Sequence, residues 1–251
     1  MPNEFLQSPK LAVPAYFGPW QREDWAALRT DRPSIVVINP DNGPGRRRPG
    51  YRPLVRDLQK RGVEVFGYVT TGWLQRPWSD WAQDVARYAI DYGVDGVLFD
   101  EVKVDSANLN ALRKLDAIGR SVVARVAFNP GRAIPDRWRQ EFPEALWITF
   151  EGTARQYLDR VPDEVSRPAD WHLVHSVPKS LQVRVAAKVA SAEVGYAYLT
   201  ADRMPNPWDV YDTQWHAERR RRSSAGQLGS TQSRIPERTS GFASETVIPT
   251  P

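Results

Sequence analysis

Asp95-Gly96-Val97-Leu98-Phe99-Asp100-Glu101 reads as a turn, a short apolar strand and then two adjacent carboxylates. A second run, Leu146-Trp147-Ile148-Thr149-Phe150, ends in the same way on Glu151. Acids at the C-terminal ends of buried strands are where a (β/α)8 barrel places its chemistry, because every βα loop opens on that face. Working outward, comparable runs occur at Leu11-Ala12-Val13, Ile35-Val36-Val37-Ile38, Val63 to Val69, Val122 to Phe128, Trp171 to His175 and Gly195 to Leu199. Turn residues and an amphipathic stretch follow most of them. Strands alternating with helices imply parallel βαβ units. Eight such strands within about 200 residues imply a closed barrel rather than an open sheet.

The helical stretches carry their own signals. Tyr51 to Arg61 lies between Pro49-Gly50 and Gly62, and Trp78 to Tyr92 lies between Pro77 and Gly93; a glycine just past the last turn suits a helix end. Trp81, Val85, Tyr88 and Ala89 recur at helical spacing, as do Leu181, Val185, Ala186 and Val189 within Lys179 to Ala192. Pro130, Pro135 and Pro143 predict an irregular connection from Pro130 to Ala145. A last helix from about Trp208 to Arg220 is expected to close the ring. The expected organisation is a lead-in over residues 1–10, one α/β domain, a single (β/α)8 TIM barrel, over 11–222, and a disordered C-terminal tail over 223–251. That tail is rich in Gly, Ser, Thr, Pro and Gln and has too few large apolar residues to offset its chain entropy.

Composition narrows the function. Hydrophobic residues make up 41% of the 251, enough for a core, while no stretch reaches the ~18 consecutive apolar residues of a membrane span. The net charge of +4 is mostly local: residues 217–251 hold six Arg against three Glu, +3, leaving +1 for the rest. No basic stripe or nucleic-acid motif accompanies it. With no cysteine, disulfides, thiolate zinc sites and thiol nucleophiles are excluded. His172 and His175 sit at odd spacing on one strand and face opposite sides, so they cannot chelate together; no metal and no cofactor are expected. The glycines of Asn39-Pro40-Asp41-Asn42-Gly43-Pro44-Gly45 lack phosphate-cradling spacing, and no Gly-x-Ser-x-Gly elbow occurs. Met1 to Gln7 shows no signal-peptide pattern, so a cytoplasmic location is expected, with the cell surface or exterior as the alternative.

The candidate catalytic residues are therefore Asp100, Glu101 and Glu151. Two carboxyl groups across a barrel mouth are the minimal equipment for cleaving a glycosidic bond, and their separation decides between retention and inversion. Around the same rim fall Tyr16 and Trp20 after the first strand, Asn39 after the second, and Tyr68, Thr70 and Trp73 at and after the third. Asn129, His175 and Tyr198 end later strands. Aromatic faces for CH surfaces, mixed with amides and hydroxyls for directed hydrogen bonds, suit a sugar. Tyr16, Asn39, Tyr68, Thr70, Trp73, Asn129, His175 and Tyr198 are the candidate substrate contacts.

These residues also carry a resemblance. Val13-Pro14-Ala15-Tyr16-Phe17, Ile38-Asn39-Pro40 with Gly43-Pro44-Gly45, Gly67-Tyr68-Val69-Thr70-Thr71, Asp95 to Glu101 and Asn129-Pro130-Gly131 together resemble the spherulin-4-like family, from about Leu11 to Leu199. The resemblance implies a (β/α)8 glycoside hydrolase of a kind that cleaves α-1,4-linked N-acetylgalactosamine in galactosaminogalactan. It also implies that the strand-four Asp-Glu pair and a later Glu are needed, which map to Asp100, Glu101 and Glu151. Members are often secreted or surface-attached. Arg46-Arg47-Arg48 would repel a cationic polymer if it lined the cleft. The expected function is an endo-acting glycoside hydrolase with a polysaccharide as partner, no nucleic acid, no membrane insertion and a monomeric state. The competing readings are a non-catalytic carbohydrate-binding or surface/dormancy barrel, and a barrel isomerase or lyase.

Overall fold

The computed structural model describes residues 8–159 and 166–213. Among them the chain alternates strand and helix: β1 (Lys10–Ala15), α1 (Arg22–Asp31), β2 (Ile35–Ile38), α2 (Tyr51–Lys60), β3 (Glu64–Thr70), α3 (Trp78–Arg87), β4 (Gly96–Asp100) and α4 (Leu109–Arg120). It continues with β5 (Arg125–Asn129), α5 (Asp136–Glu141), β6 (Leu146–Thr153), α6 (Ala154–Asp159), β7 (Asp170–His175), α7 (Gln182–Ser191) and β8 (Tyr196–Leu199). The strands close in sequence order, all parallel, with β1 paired to β8. This is the expected (β/α)8 barrel. The expected tail over 223–251 and the first residues of the lead-in lie outside the described residues.

Alternation along each strand builds two packed layers. Gly96 faces inward against Phe66, while Val97, Phe99 and Val126 face outward under α4. There Gly119 comes so near that a Cβ would sit 2.5 Å from Val126 Cγ2. At the bottom of the barrel Arg125 donates to Glu64 at 2.8 Å, so an inward-facing charge is paired rather than stranded.

Two connections differ from the sequence reading. The stretch Trp78 to Tyr92 is helical throughout, but its last turn, Tyr88–Tyr92, is a π-helical turn ending on Gly93 at φ 73°. That wider turn lets the Tyr92 hydroxyl donate to Pro44 O at 2.7 Å and accept from the Arg48 N–H at 3.2 Å, pinning the loop after β2. The expected irregular segment from Pro130 to Ala145 contains the short helix α5, which begins directly after Pro135, its extended N-cap residue.

No helix starts at Trp208. Residues 208–212 form an irregular strap across the β8 and β1 ends, Thr213 is the first helical residue, and the rest of the expected closing helix from 214 onward lies outside the described residues. The strap's polar groups are held by side chains and by the chain just after β1: Tyr211 N–H donates to Asp24 Oδ1 at 2.8 Å, Asp212 N–H to the Tyr198 hydroxyl at 3.0 Å, and the backbone N–H of Tyr16 to Trp208 O at 3.0 Å. These partners replace the helical hydrogen bonds such a segment would otherwise make.

Gly67, on the outer face of β3, lies under the Tyr88 ring, and a Cβ there would fall 2.3 Å from Tyr88 Cγ. Gly67→Ala is expected to lower stability by about 1–3 kcal/mol through overpacking. Urea unfolding checks this, and an unchanged midpoint would contradict the close approach.

Candidate active site

Strand register sets the floor of the site. Thr70 of β3 pairs with Asp100 of β4, and Asp100 pairs with Asn129 of β5, so the three lie side by side at the C-terminal strand ends. Each is on the inward parity established by Gly96 and Phe66.

Glu151 reaches the same mouth by a different route. Trp147 packs against Phe128 and Phe142 on the helix side of the barrel, at ring separations of 4.9 and 6.0 Å. Unbroken alternation would send Glu151 outward as well. Instead the register with β7 passes from Ile148↔Trp171 to Phe150↔His172, leaving Thr149 as an extra residue. Beyond this bulge Phe150 lies outside against Tyr157, at 4.8 Å, and Glu151 turns in. A bulge that re-aims a side chain is a common device beside functional sites. β6 therefore runs through Glu151 to Thr153 instead of stopping at Phe150.

The adjacent acids on β4 are separated by backbone conformation. Glu101 adopts φ 58°, which breaks the strand and lets both side chains lie at the mouth. Asp100 Oδ2 accepts from the Tyr68 hydroxyl at 2.8 Å, and Oδ1 accepts from the Glu101 N–H at 2.8 Å. Glu101 Oε2 accepts from the Thr70 hydroxyl at 2.5 Å. Glu151 Oε2 accepts from Asn129 Nδ2 at 2.6 Å, and Asn129 Oδ1 is fixed by the Gly131 N–H at 2.8 Å, so the side-chain amide has only one useful orientation. The Trp208 side chain also favours the ionised form of Glu151.

Electrostatics distinguish the two inner acids. Burial first, and the Asp100 charge second, push Glu151 up from 4.5 to about 7, against the opposing pull of Asn129 and Trp208. Burial also raises Asp100, but the Tyr68 hydroxyl and the Glu101 N–H both favour its ionised form. Tyr16, in edge contact with Tyr68 at 5.3 Å, is pushed well above the usual tyrosine value by burial and then by Asp100. It stays a neutral hydroxyl near both acids.

The remaining candidates divide. Trp73 is exposed on the loop after β3. His175 faces inward, bonds Ser176 Oγ at 3.0 Å and meets the Trp208 ring edge-on; burial lowers its pKa, so it is neutral near pH 7. His172 points outward, bonded to the Tyr157 hydroxyl at 2.9 Å. The Asn39 side-chain Oδ1 accepts from the Gly43 N–H at 2.9 Å and braces its own loop. Tyr198 is a correction. It is 0% exposed, roofed by Trp208 and Tyr211, and its hydroxyl accepts from Asp212, so it supports the strap instead of touching substrate.

Trp208 is the residue the sequence reading missed. Met204-Pro205-Asn206-Pro207-Trp208 repeats the Pro-Trp pattern of Pro19-Trp20 at the same rim, and that repetition was the available signal. Arg48 is drawn onto Asp41 at 3.5 Å, and Arg46 and Arg47 are solvent-exposed. Among the described residues no group of three or more His, Cys, Asp or Glu could hold a metal, and no helix is long and apolar enough to cross a membrane.

The sequence matches Spherulin4, the spherulation-specific family 4, over residues 10–219. The chain belongs to this family. Spherulin-4 of Physarum polycephalum is 32% identical over 106 residues, which is 40% of this chain and only 32% of that protein's length. The crystal structure of Aspergillus clavatus Sph3 in complex with GalNAc is similar with a TM-score of 0.68 and 26% identity, covering 84% of this chain and 95% of that one.

Because the folded state raises Glu151, it binds this proton more tightly than the unfolded chain does. The resulting stability is fully present below 4.5 and is lost as pH rises to about 7. Glu151→Gln is therefore expected to be more stable than the parent at pH 8, by on the order of 3 kcal/mol. The advantage should shrink towards pH 4.5. Urea unfolding across that range measures it, and a pH-independent difference would contradict the raised value.

Proposed function

We propose that this protein is a glycoside hydrolase that cuts within a polysaccharide containing N-acetylgalactosamine or galactosamine. The observation that carries the reading is the pairing of Asp100 and Glu151 in one mouth, where burial and the Asp100 charge push Glu151 up to about 7. Family membership and the similarity to a structure that holds GalNAc support the sugar class. The arginines after β2 do not weigh against a cationic polymer, since one is paired with Asp41 and two are solvent-exposed.

The two acids suit complementary roles. Glu151, held near 7, carries a proton for much of the time at neutral pH and can give it to the glycosidic oxygen as the C–O bond breaks. Asp100 has both oxygens engaged by donors that favour its ionised form. It faces the developing positive charge at the anomeric carbon, either attacking it or activating a water that does. Tyr68 sustains that ionised state. Asn129, with its amide locked by Gly131, keeps Glu151 aimed.

Reducing-end release from a panel of purified polysaccharides tests the reading. The parent is expected to cleave a galactosamine-containing polymer. Asp100→Asn and Glu151→Gln should each lower turnover at least about a hundredfold while sugar binding survives. Near-full activity in both variants would refute the assignment, and binding without cleavage across the panel would favour the non-catalytic barrel.

The pH profile adds a sign. Activity requires Glu151 protonated, so kcat/KM should fall as pH rises through about 7. Tyr68→Phe removes a donor to ionised Asp100 and should shift the acid limb upward. An alkaline limb unrelated to Glu151, unmoved by Asp100→Asn, would contradict the coupling.

A further inference from the structure

Trp73 is 51% exposed and stands at φ 56°, between Gly72 at φ 58° and Leu74 at φ 66°. Three consecutive left-handed residues, two of them with side chains, are a conformation the chain adopts only when its surroundings enforce it. The enforcement is visible. Gly72 N–H donates to Thr70 Oγ1 at 3.1 Å and Leu74 N–H to Thr71 Oγ1 at 3.2 Å. Arg76 donates to Thr70 O at 2.5 Å while paired with Asp84 at 2.8 Å. Leu74 packs onto the core, which leaves the Trp73 ring turned out.

The same braces converge on Glu101. The Thr70 hydroxyl donates to its carboxylate at 2.5 Å, the Thr71 hydroxyl donates to its carbonyl at 2.8 Å, and Thr71 N–H donates to the carbonyl of Asp100 at 3.0 Å. Both threonines that hold the strained loop are thus held in turn by the acid pair of β4. An exposed indole rigidly tied to the catalytic strand is poorly explained by packing, since it buries little. It is well explained by a flat apolar ligand face arriving beside the acids.

We propose that Trp73 is the stacking platform of an outer sugar subsite and that Glu101 is the positioning residue that holds it. The inference rests on the glycoside hydrolase reading and deepens it: the substrate is a chain long enough to lie over Trp73 while one linkage sits between Asp100 and Glu151. The Glu101 side chain then acts through Thr70 on binding of the extended chain, while its backbone carbonyl holds Thr71. The proton transfer is left to Glu151 and Asp100.

Calorimetric titration of the full chain carrying Glu151→Gln, with N-acetylgalactosamine oligosaccharides of increasing length, tests this without cleavage. Affinity is expected to rise with length. Adding Trp73→Ala should remove that rise, weakening the longest ligand about tenfold, and Trp73→Phe should restore most of it. Glu101→Ala should reproduce the length-dependent loss, while Glu101→Gln, which can still accept from Thr70, should rescue it; melting temperatures confirm that each variant is folded. A loss equal at all lengths, or none, overturns the Trp73 platform and leaves the hydrolase reading standing. Rescue failing in Glu101→Gln while Trp73→Ala behaves as expected overturns the positioning role. Failure of every oligosaccharide to bind refutes the substrate class and the platform with it.

Discussion

Two carboxyl groups withdrawn from water into one mouth cannot both ionise freely, and the structure around them is organised by that constraint. Each additional negative charge in a poorly solvated space costs free energy, so the pair settles with its proton on one partner. Donors favour the ionised form of both acids, and burial together with the Asp100 charge is what raises Glu151. Asp100 receives Tyr68 O–H and Glu101 N–H, while Glu151 retains its proton against Asn129 and Trp208 and sits near 7. Like charges brought together cost stability, and here that cost is seen as the raised Glu151.

Bringing the acids together requires departures from a regular barrel. The Thr149 bulge reverses the parity of β6, the left-handed Glu101 separates two adjacent acids, and the irregular strap at 208–212 supplies an indole to Glu151. All three lie at the C-terminal ends of the strands, whereas the lower barrel keeps simple alternation and a paired Arg125–Glu64. A rigid lower half of this kind tolerates local irregularity above it, because the ladder of parallel pairs fixes the strand positions before the loops are reached.

That division also explains what the sequence revealed. The strands and most helices were legible because burial imposes a short apolar run and a helical repeat, and Gly62 and Gly93 mark helix ends by their left-handed backbone. Asp100, Tyr68 and Asn129 were legible because they end regular strands. The place of Glu151 at the mouth was legible from its strand-end position, but the bulge that turns it inward was not, since a bulge leaves no periodic trace in Leu146 to Phe150. Tyr198 was misread for the complementary reason: it ends a strand facing inward, but long-range contacts with Trp208 and Tyr211 bury it. Trp208 itself depends on partners far away in sequence, Tyr16 and Asp24 among those holding its segment, and a local reading turned it into the start of a helix.

The central claim is that burial and the charge of Asp100 keep a proton on Glu151. Carboxyl-carbon NMR of glutamate-labelled protein, with Glu151→Gln used to assign the signal, measures this directly. The account predicts a Glu151 titration near 7 that moves towards 4.5 when Asp100 is replaced by Asn. A titration near 4.5 in both proteins would contradict it.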